Sequence, residues 1–489
     1  MTDKTPSLGK QVMKGAGIMV LGRWLIRLLG IVSVSVTARL LTPEDFGIMG
    51  AAALVIGLFA LFKNIGFDDA ILRMDTEDHD KFHTLWTIRF IFSAAVSLAL
   101  YLAAPVMADL LQEDRIEDVL QIMCLMVVLH AFHSPAIQVF RKRMAFGKEM
   151  MVRFLEKILS VGSIILFVLY VERSYMGLVY SNLTVASLGV VTSFLFYAYI
   201  PKISFTNFKE QLSFSFWTLV RNFSSYGSGA FDEWAAKRST NSETFGAYHV
   251  AHDLARLLVM ETIFPIGEAF ASAVQRVKND LDRLRDVVVR FLAVLVLIGL
   301  PVATGIVMTS KEIIHILLGS QWDVAIQFLP YLAFAKLALV FSNSLNGIFL
   351  ALDKQKTNAF LKLFRAGLVV VACLVALLMG EGALIIAQLY MWFMIAFVLG
   401  EYIYLFTSLK ISLGRLSFIF RPVVAAIAMA YVLHIVPFDD VPMHITFLAL
   451  SKIAIGSTVY GATLFVLWIL SGKPEGAETE ILSKVINKH

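Results

Sequence analysis

Long apolar runs recur along the whole chain, and they decide what it can fold into. A helix that crosses the hydrocarbon core of a bilayer takes about 20 mostly apolar residues. Fourteen such runs can be marked, near 15–38, 46–66, 84–108, 119–140, 154–172, 175–200, 213–236, 245–275, 287–308, 327–350, 362–380, 383–407, 420–437 and 446–470. Lipid offers no water to satisfy stray backbone groups, so each run must be helical or part of a closed barrel. The runs are continuous rather than alternating, which argues against a barrel. The expected fold is an all-α polytopic membrane protein with about fourteen transmembrane helices. Composition agrees: 58% of residues are hydrophobic, 16% are charged and the mean hydropathy is +0.75. Soluble domains carry about 25% charged residues. A soluble enzyme, a secreted disulfide module and a disordered tail protein are excluded. Cys124 and Cys373 sit in apolar runs, with no spacing for a disulfide framework or a metal.

Lysine and arginine concentrate on one side of these runs. If both ends lie in the cytoplasm, the opposite side holds only Arg39, Arg115, Arg173, Lys237, Arg238 and Lys311. Cationic loops mark the cytoplasmic face, so the net charge of +5 belongs to loops and not to nucleic-acid binding. The first run is too long for a signal-peptide core and reads as an uncleaved span.

An internal repeat organises the chain. Arg39, Glu44, Phe46 and Gly47 recur as Arg238, Glu243, Phe245 and Gly246, at a constant offset of 199 residues. Trp24 and Trp217 precede the two copies at a slightly different offset. In each copy a span ends in Arg, and Glu-x-Phe-Gly opens the next. Repeated halves are common in transporters. The expected divisions are a six-helix bundle over 1–200, a second over 201–410, and two further helices with a tail over 411–489.

The stretches Gly22 to Gly30, Ala38 to Gly47, Phe62 to Phe67 and Ala70 to Arg73 carry a resemblance, echoed by Ser242 to Tyr248. They resemble the polysaccharide transporter family, which includes Wzx-type O-antigen and exopolysaccharide flippases. That family lies within the multidrug/oligosaccharidyl-lipid/polysaccharide exporter superfamily. The resemblance implies two bundles around a central cavity and alternating access. It implies a substrate of oligosaccharide linked to undecaprenyl diphosphate, moved across the bacterial inner membrane. Membrane lipid and a polysaccharide polymerase or assembly protein are the implied partners. No cofactor is called for, and coupling to H+ or Na+ stays open.

A lipid diphosphate needs a cationic path, and arginine donates paired hydrogen bonds to phosphate while staying charged. Arg23 and Arg27 are four residues apart near mid-depth of the first run and share a helix face. Two readings stay open: substrate binding, or pairing with Asp232, Asp253 or Glu261. Arg256 and Arg221 are further substrate-binding candidates. His249, His252, Asp253 and Arg256 form one stripe of the eighth run and read as a coupling switch or a packed polar seam. Asp232, Glu261 and Pro265 complete the coupling or gating candidates; the proline is expected to kink its helix. Arg89 and Lys157 are expected to snorkel or sit at the interface. Lys336 and Lys452 have no assigned role. No metal site is expected.

The chain carries no phosphate-binding Gly-x-x-x-x-Gly-Lys-Ser/Thr loop, so no built-in ATPase is expected. The rival readings are a cation-coupled multidrug exporter, which calls for an acidic cavity, and a membrane polysaccharide polymerase or ligase, which calls for a long outer loop. The expected protein is not an enzyme.

Overall fold

The computed structural model describes residues 8–63, 79–134, 136–143, 145–198, 200–206, 226, 229–438 and 444–472. Among them all regular structure is helical. In order come α1 (Leu8–Leu40), α2 (Pro43–Lys63), α3 (His79–Leu111), α4 (Arg115–Ala131), α5 (Ala136–Lys142), α6 (Phe146–Tyr170) and α7 (Tyr175–Phe196). Helix α8 covers residues 229–239. Then follow α9 (Ser242–Ala255), a π turn (Arg256–Met260), α10 (Glu261–Val277), α11 (Leu281–Met308), α12 (Ser310–Leu317), α13 (Leu329–Ala351), α14 (Gln355–Leu378), α15 (Ala383–Leu409), α16 (Phe420–Ile435) and α17 (Ile445–Leu470).

Every expected span has a helix at its place, the seventh described only from residue 229. Among the described residues, ten helices are long and apolar enough to cross a membrane. The rest fall short for visible reasons. Helix α6 opens with Lys148, Glu149, Arg153, Glu156 and Lys157, and the eighth span is interrupted by the π turn. The protein is an all-α polytopic membrane protein.

The chain divides into two compact units: residues 1–230 with 241–246, and residues 231–240 with 247–489. In the first, α1 packs along α6, α6 on α7, and α2, α3, α4 and α7 pack on one another. In the second, α13 is central, touching α10, α11, α14 and α15, while α16 and α17 pack together beside α11. Leu102, Leu195, Leu378, Trp392, Tyr431 and Leu470 project outward, as a lipid-facing surface requires.

The fourth span differs from a single helix over 119–140. It breaks between Ala131 and Ala136, beside Pro135, which has no amide hydrogen to continue the ladder. The freed groups find partners. Arg89 donates from Nη2 to the His130 carbonyl at 2.5 Å. The Ser134 amide donates to Ser193 Oγ at 3.0 Å, and Ser134 Oγ donates to the Tyr197 carbonyl at 2.8 Å. Arg89 is thus held inside the bundle and does not snorkel.

The repeat is visible at two helix starts. Before α2, Thr42 and Asp45 cap each other: Thr42 Oγ1 donates to Asp45 Oδ2 at 2.7 Å, and the Asp45 amide donates to Thr42 Oγ1 at 3.2 Å. This reciprocal arrangement satisfies amides that a helix start leaves open. Before α9, Asn241 holds the equivalent place and accepts from the Thr244 amide at 2.9 Å. The glycines of the two copies meet these starts reciprocally. A Cβ on Gly47 would lie 1.8 Å from the Ser242 carbonyl oxygen, and one on Gly246 would lie 1.8 Å from that of Pro43. Pro43 and Ser242 are themselves 199 residues apart, so the contact has the form of a two-fold exchange within the first unit.

Candidate functional site

In the first unit the candidates lie on α1. Arg23 is exposed and Arg27 is half-buried, with its guanidinium 5.4 Å from the Trp24 ring centroid. Arg23, Arg27 and Gly30 follow the i, i+4, i+7 spacing of one helix face. The side chain of Lys157, from α6, crosses that face at Gly30. Its Cε lies 3.8 Å and its Nζ 4.0 Å from where a Gly30 Cβ would be. Gly30 lies inside the apolar stretch that ends at Leu40, about 15 Å from that end at 1.5 Å per residue. Lys157 therefore reaches inside the span rather than sitting at the interface, because a glycine leaves room for its stem. One turn earlier, Arg153 is already engaged: Glu149, almost fully buried, takes Arg153 at 3.2 Å and Arg141 at 2.6 Å. Lys157 has no hydrogen-bond or ion-pair partner among the described residues. Arg23, Arg27 and Lys157 thus form a cationic ladder rising along the α1–α6 seam.

Other cations of this unit are committed elsewhere. Arg115 binds Glu44 at 2.7 Å and Glu113 at 2.6 Å. The same Glu113 accepts a hydrogen bond from Ser242 Oγ. Arg173 donates to the Leu40 carbonyl at 2.8 Å. These groups tie the ends of α1, α2, α4 and α9 together. Arg221 lies outside the described residues.

The second unit holds a buried polar network. Helix α8 supplies Asp232 and Glu233, α9 supplies Tyr248, His249 and His252, α13 supplies Lys336 and α15 supplies Tyr390; all but His249 are buried. Tyr248 donates to Asp232 Oδ2 at 3.0 Å. His249 Nδ1 is 2.5 Å from Glu233 Oε2, and His252 Nδ1 is 3.1 Å from Glu233 Oε1. His252 Nε2 is 3.7 Å from Asp232 Oδ2 and in hydrogen-bond contact with Lys336 Nζ. Lys336 Nζ also stands 5.3 Å from the Tyr390 ring centroid. Arg256 is exposed and pairs with Asp253 at 3.1 Å. Asp232 and Asp253 thus take partners inside their own unit.

The remaining candidates are Glu261 and Pro265. Their backbones are helical, and their side chains lie outside the described residues. The helix runs on through position 265 without a break; the π turn Arg256–Met260 lies directly before α10. Such one-turn insertions re-aim a helix.

Two charged residues of the network, besides its tyrosines Tyr248 and Tyr390, were not anticipated. Glu233 adjoins Asp232 in the sequence, and that double acid in an apolar run was a signal available to find it. Lys336 has no local signal, because its partner His252 is 84 residues away. A second buried group in this unit joins Arg365 to Ser342 Oγ at 2.7 Å, with Glu401 nearby and buried. Lys452 of α17 pairs with buried Glu312 of α12 at 2.5 Å.

Comparison with known proteins places this arrangement. The teichuronic acid biosynthesis protein TuaB of Bacillus subtilis (strain 168) is 21% identical over 354 residues, covering 71% of this chain and 72% of that protein. The lipopolysaccharide biosynthesis protein WzxC of Escherichia coli (strain K12) is 18% identical over 377 residues, covering 76% of each. Among solved structures, the lipid II flippase MurJ in an inward closed conformation superposes with a TM-score of 0.72 at 15% identity, covering 92% of this chain and 98% of that one. Its fold is shared. A family model described as "Polysaccharide biosynthesis protein" matches residues 36–327, more than half of the chain, and the chain belongs to that family.

Proposed function

We propose that the protein is a flippase: it carries an oligosaccharide linked to undecaprenyl diphosphate, an O-antigen or exopolysaccharide repeat unit, from the inner to the outer leaflet of a bacterial inner membrane by alternating access. The observation that carries this reading is the ladder of Arg23, Arg27 and Lys157. A cation at the bilayer centre costs about 2.5–3.5 kcal/mol on insertion scales. Lys157, with no hydrogen-bond or ion-pair partner among the described residues, lies against the helix face that carries Arg23 and Arg27, and a diphosphate suits such a cationic seam. The arginines offer paired hydrogen bonds, and the lysine offers a point charge inside the span. The lipid tail stays in the bilayer while the headgroup passes. Arg256, balanced by Asp253, and Arg221 are further substrate-binding candidates on the strength of the sequence. Family membership and the names of the relatives support a place in polysaccharide assembly, with a polymerase or assembly protein taking up the product. The basic loops support cytoplasmic termini.

The test is mass spectrometry of lipid-linked glycans from cells lacking the gene. One undecaprenyl-diphosphate oligosaccharide should accumulate, and the matching surface polysaccharide should disappear. Unchanged lipid-linked and surface glycans would remove the proposal.

A further inference from the structure

The network of the second unit has two carboxylates, Asp232 and Glu233, against one lysine, Lys336. Buried charge needs compensation, and besides Lys336 only the imidazoles His249 and His252 can supply it, by taking up protons. The exposed Asp253–Arg256 pair balances itself and leaves that count unchanged.

His252 is where a proton changes the geometry. Its Nδ1 lies 3.1 Å from Glu233 Oε1 but without the alignment of a hydrogen bond, so the tautomer is set at the other nitrogen. Its Nε2 has two neighbours with opposite needs. Lys336 Nζ touches it, and an ammonium only donates, so this contact requires a lone pair on Nε2. Asp232 Oδ2 lies 3.7 Å from the same nitrogen, and that contact requires an N–H. The two cannot be made together.

We infer that the network is a proton-binding site, in which a proton taken up at His252 Nε2 exchanges its contact with Lys336 for one with Asp232. The proton comes from water and adds to the Nε2 lone pair; only hydrogen bonds break. Lys336 keeps its charge, and the Tyr390 ring face, 5.3 Å from Nζ, offers it a seat through cation–π attraction. Half-buried His249, 2.5 Å from Glu233 Oε2, links the exposed side to His252 through the carboxylate they share. The titratable and charged groups facing the site are Asp232 and Glu233 on α8, Tyr248, His249 and Asp253 on α9, Arg256 in the π turn, Lys336 on α13, Cys373 on α14 and Tyr390 on α15, with Arg365 behind Tyr390. Use of this proton to drive transport rests on the flippase reading; the binding itself does not.

The test follows the imidazole nitrogens of the full-length protein, labelled with 15N-histidine, in phosphatidylethanolamine–phosphatidylglycerol vesicles by solid-state NMR from pH 5 to 9. The His252 signals are assigned by their loss in His252→Asn. They should pass from the Nδ1–H neutral form to the doubly protonated form as pH falls. Lys336→Met removes a neighbouring positive charge and should move the midpoint up by about one pH unit, a tenfold change in proton affinity. Asp232→Asn should move it down by a similar amount. Lys336→Arg keeps the charge and should stay near wild type, which covers the case in which Lys336→Met does not fold. A His252 that holds one form across the range, or a midpoint untouched by both charge-removing substitutions, would overturn the inference. Accumulated lipid-linked glycan in the deletion strain beside a pH-silent His252 would leave the flippase reading standing and remove this one.

Discussion

Gly47 and Gly246 each seat a backbone carbonyl from the other's helix start: Gly47 that of Ser242, Gly246 that of Pro43. At these two positions any Cβ collides with main chain, which cannot swing aside as a side chain can. Gly47→Ala and Gly246→Ala should each lower the thermal stability of the purified protein, by several degrees in Tm. The double substitution should add clearly less than the sum, because the two contacts form one interface and neighbouring sites are not additive. Strict additivity in thermal unfolding would show that the contacts are independent.

Arg27→Ala should reduce glycan flipping by about 10- to 100-fold, the equivalent of about 1.5–3 kcal/mol for a hydrogen bond to a charged group. Arg27→Lys should restore only part of it, since an ammonium cannot reproduce the paired donors. Lys157→Met should cost about as much as a single lost charge contact, and Lys157→Arg should keep most activity. The measurement is flux of lipid-linked glycan in reconstituted vesicles, with inserted protein quantified in parallel. Full flux from Lys157→Met would take the lysine out of the substrate path.

Arg89→Met should behave differently. Its guanidinium donates to the His130 carbonyl at the break before Pro135, which otherwise keeps a long bond from the His133 amide at 3.4 Å, so its loss leaves that acceptor poorly satisfied. A destabilisation of about 1–3 kcal/mol is expected, read as lower Tm. Glycan affinity, measured on the folded fraction, should not change.

Lys452 and Glu312 form a buried ion pair between α17 and α12. Lys452→Met alone should destabilise the protein by about 3–5 kcal/mol, because Glu312 is left without a counter-ion. Lys452→Met with Glu312→Leu should recover most of that loss. A double variant as unstable as the single would show that packing of the lysine stem, and not its charge, is what α17 contributes.

The helices were legible because lipid allows so few alternatives: apolar length alone marked the ten spans that the described residues carry, and the Glu-x-Phe-Gly pair marked the repeat whose glycines meet. Arg23 and Arg27 were legible as one face because their spacing is local. Lys157 was misplaced because its depth depends on Gly30, a residue of another helix. Lys336 and His252 were separately visible and jointly invisible, since nothing in a single sequence pairs residues 84 positions apart. Arg89 was misjudged for the same reason: its partner is a carbonyl, and a carbonyl freed by a helix break leaves no mark in the residue type.

The π turn at Arg256–Met260 amounts to one residue more than an α-helix needs to connect α9 with α10. Deleting one residue there would restore an unbroken ladder and, because the wide turn absorbs that residue, would leave the stripe of α10 that packs on α13 facing as it does. The same surplus has a mechanical side. An extra residue can be handed along the axis one position at a time, each step re-aiming the residue it passes while the ladders of α9 and α10 on either side stay intact.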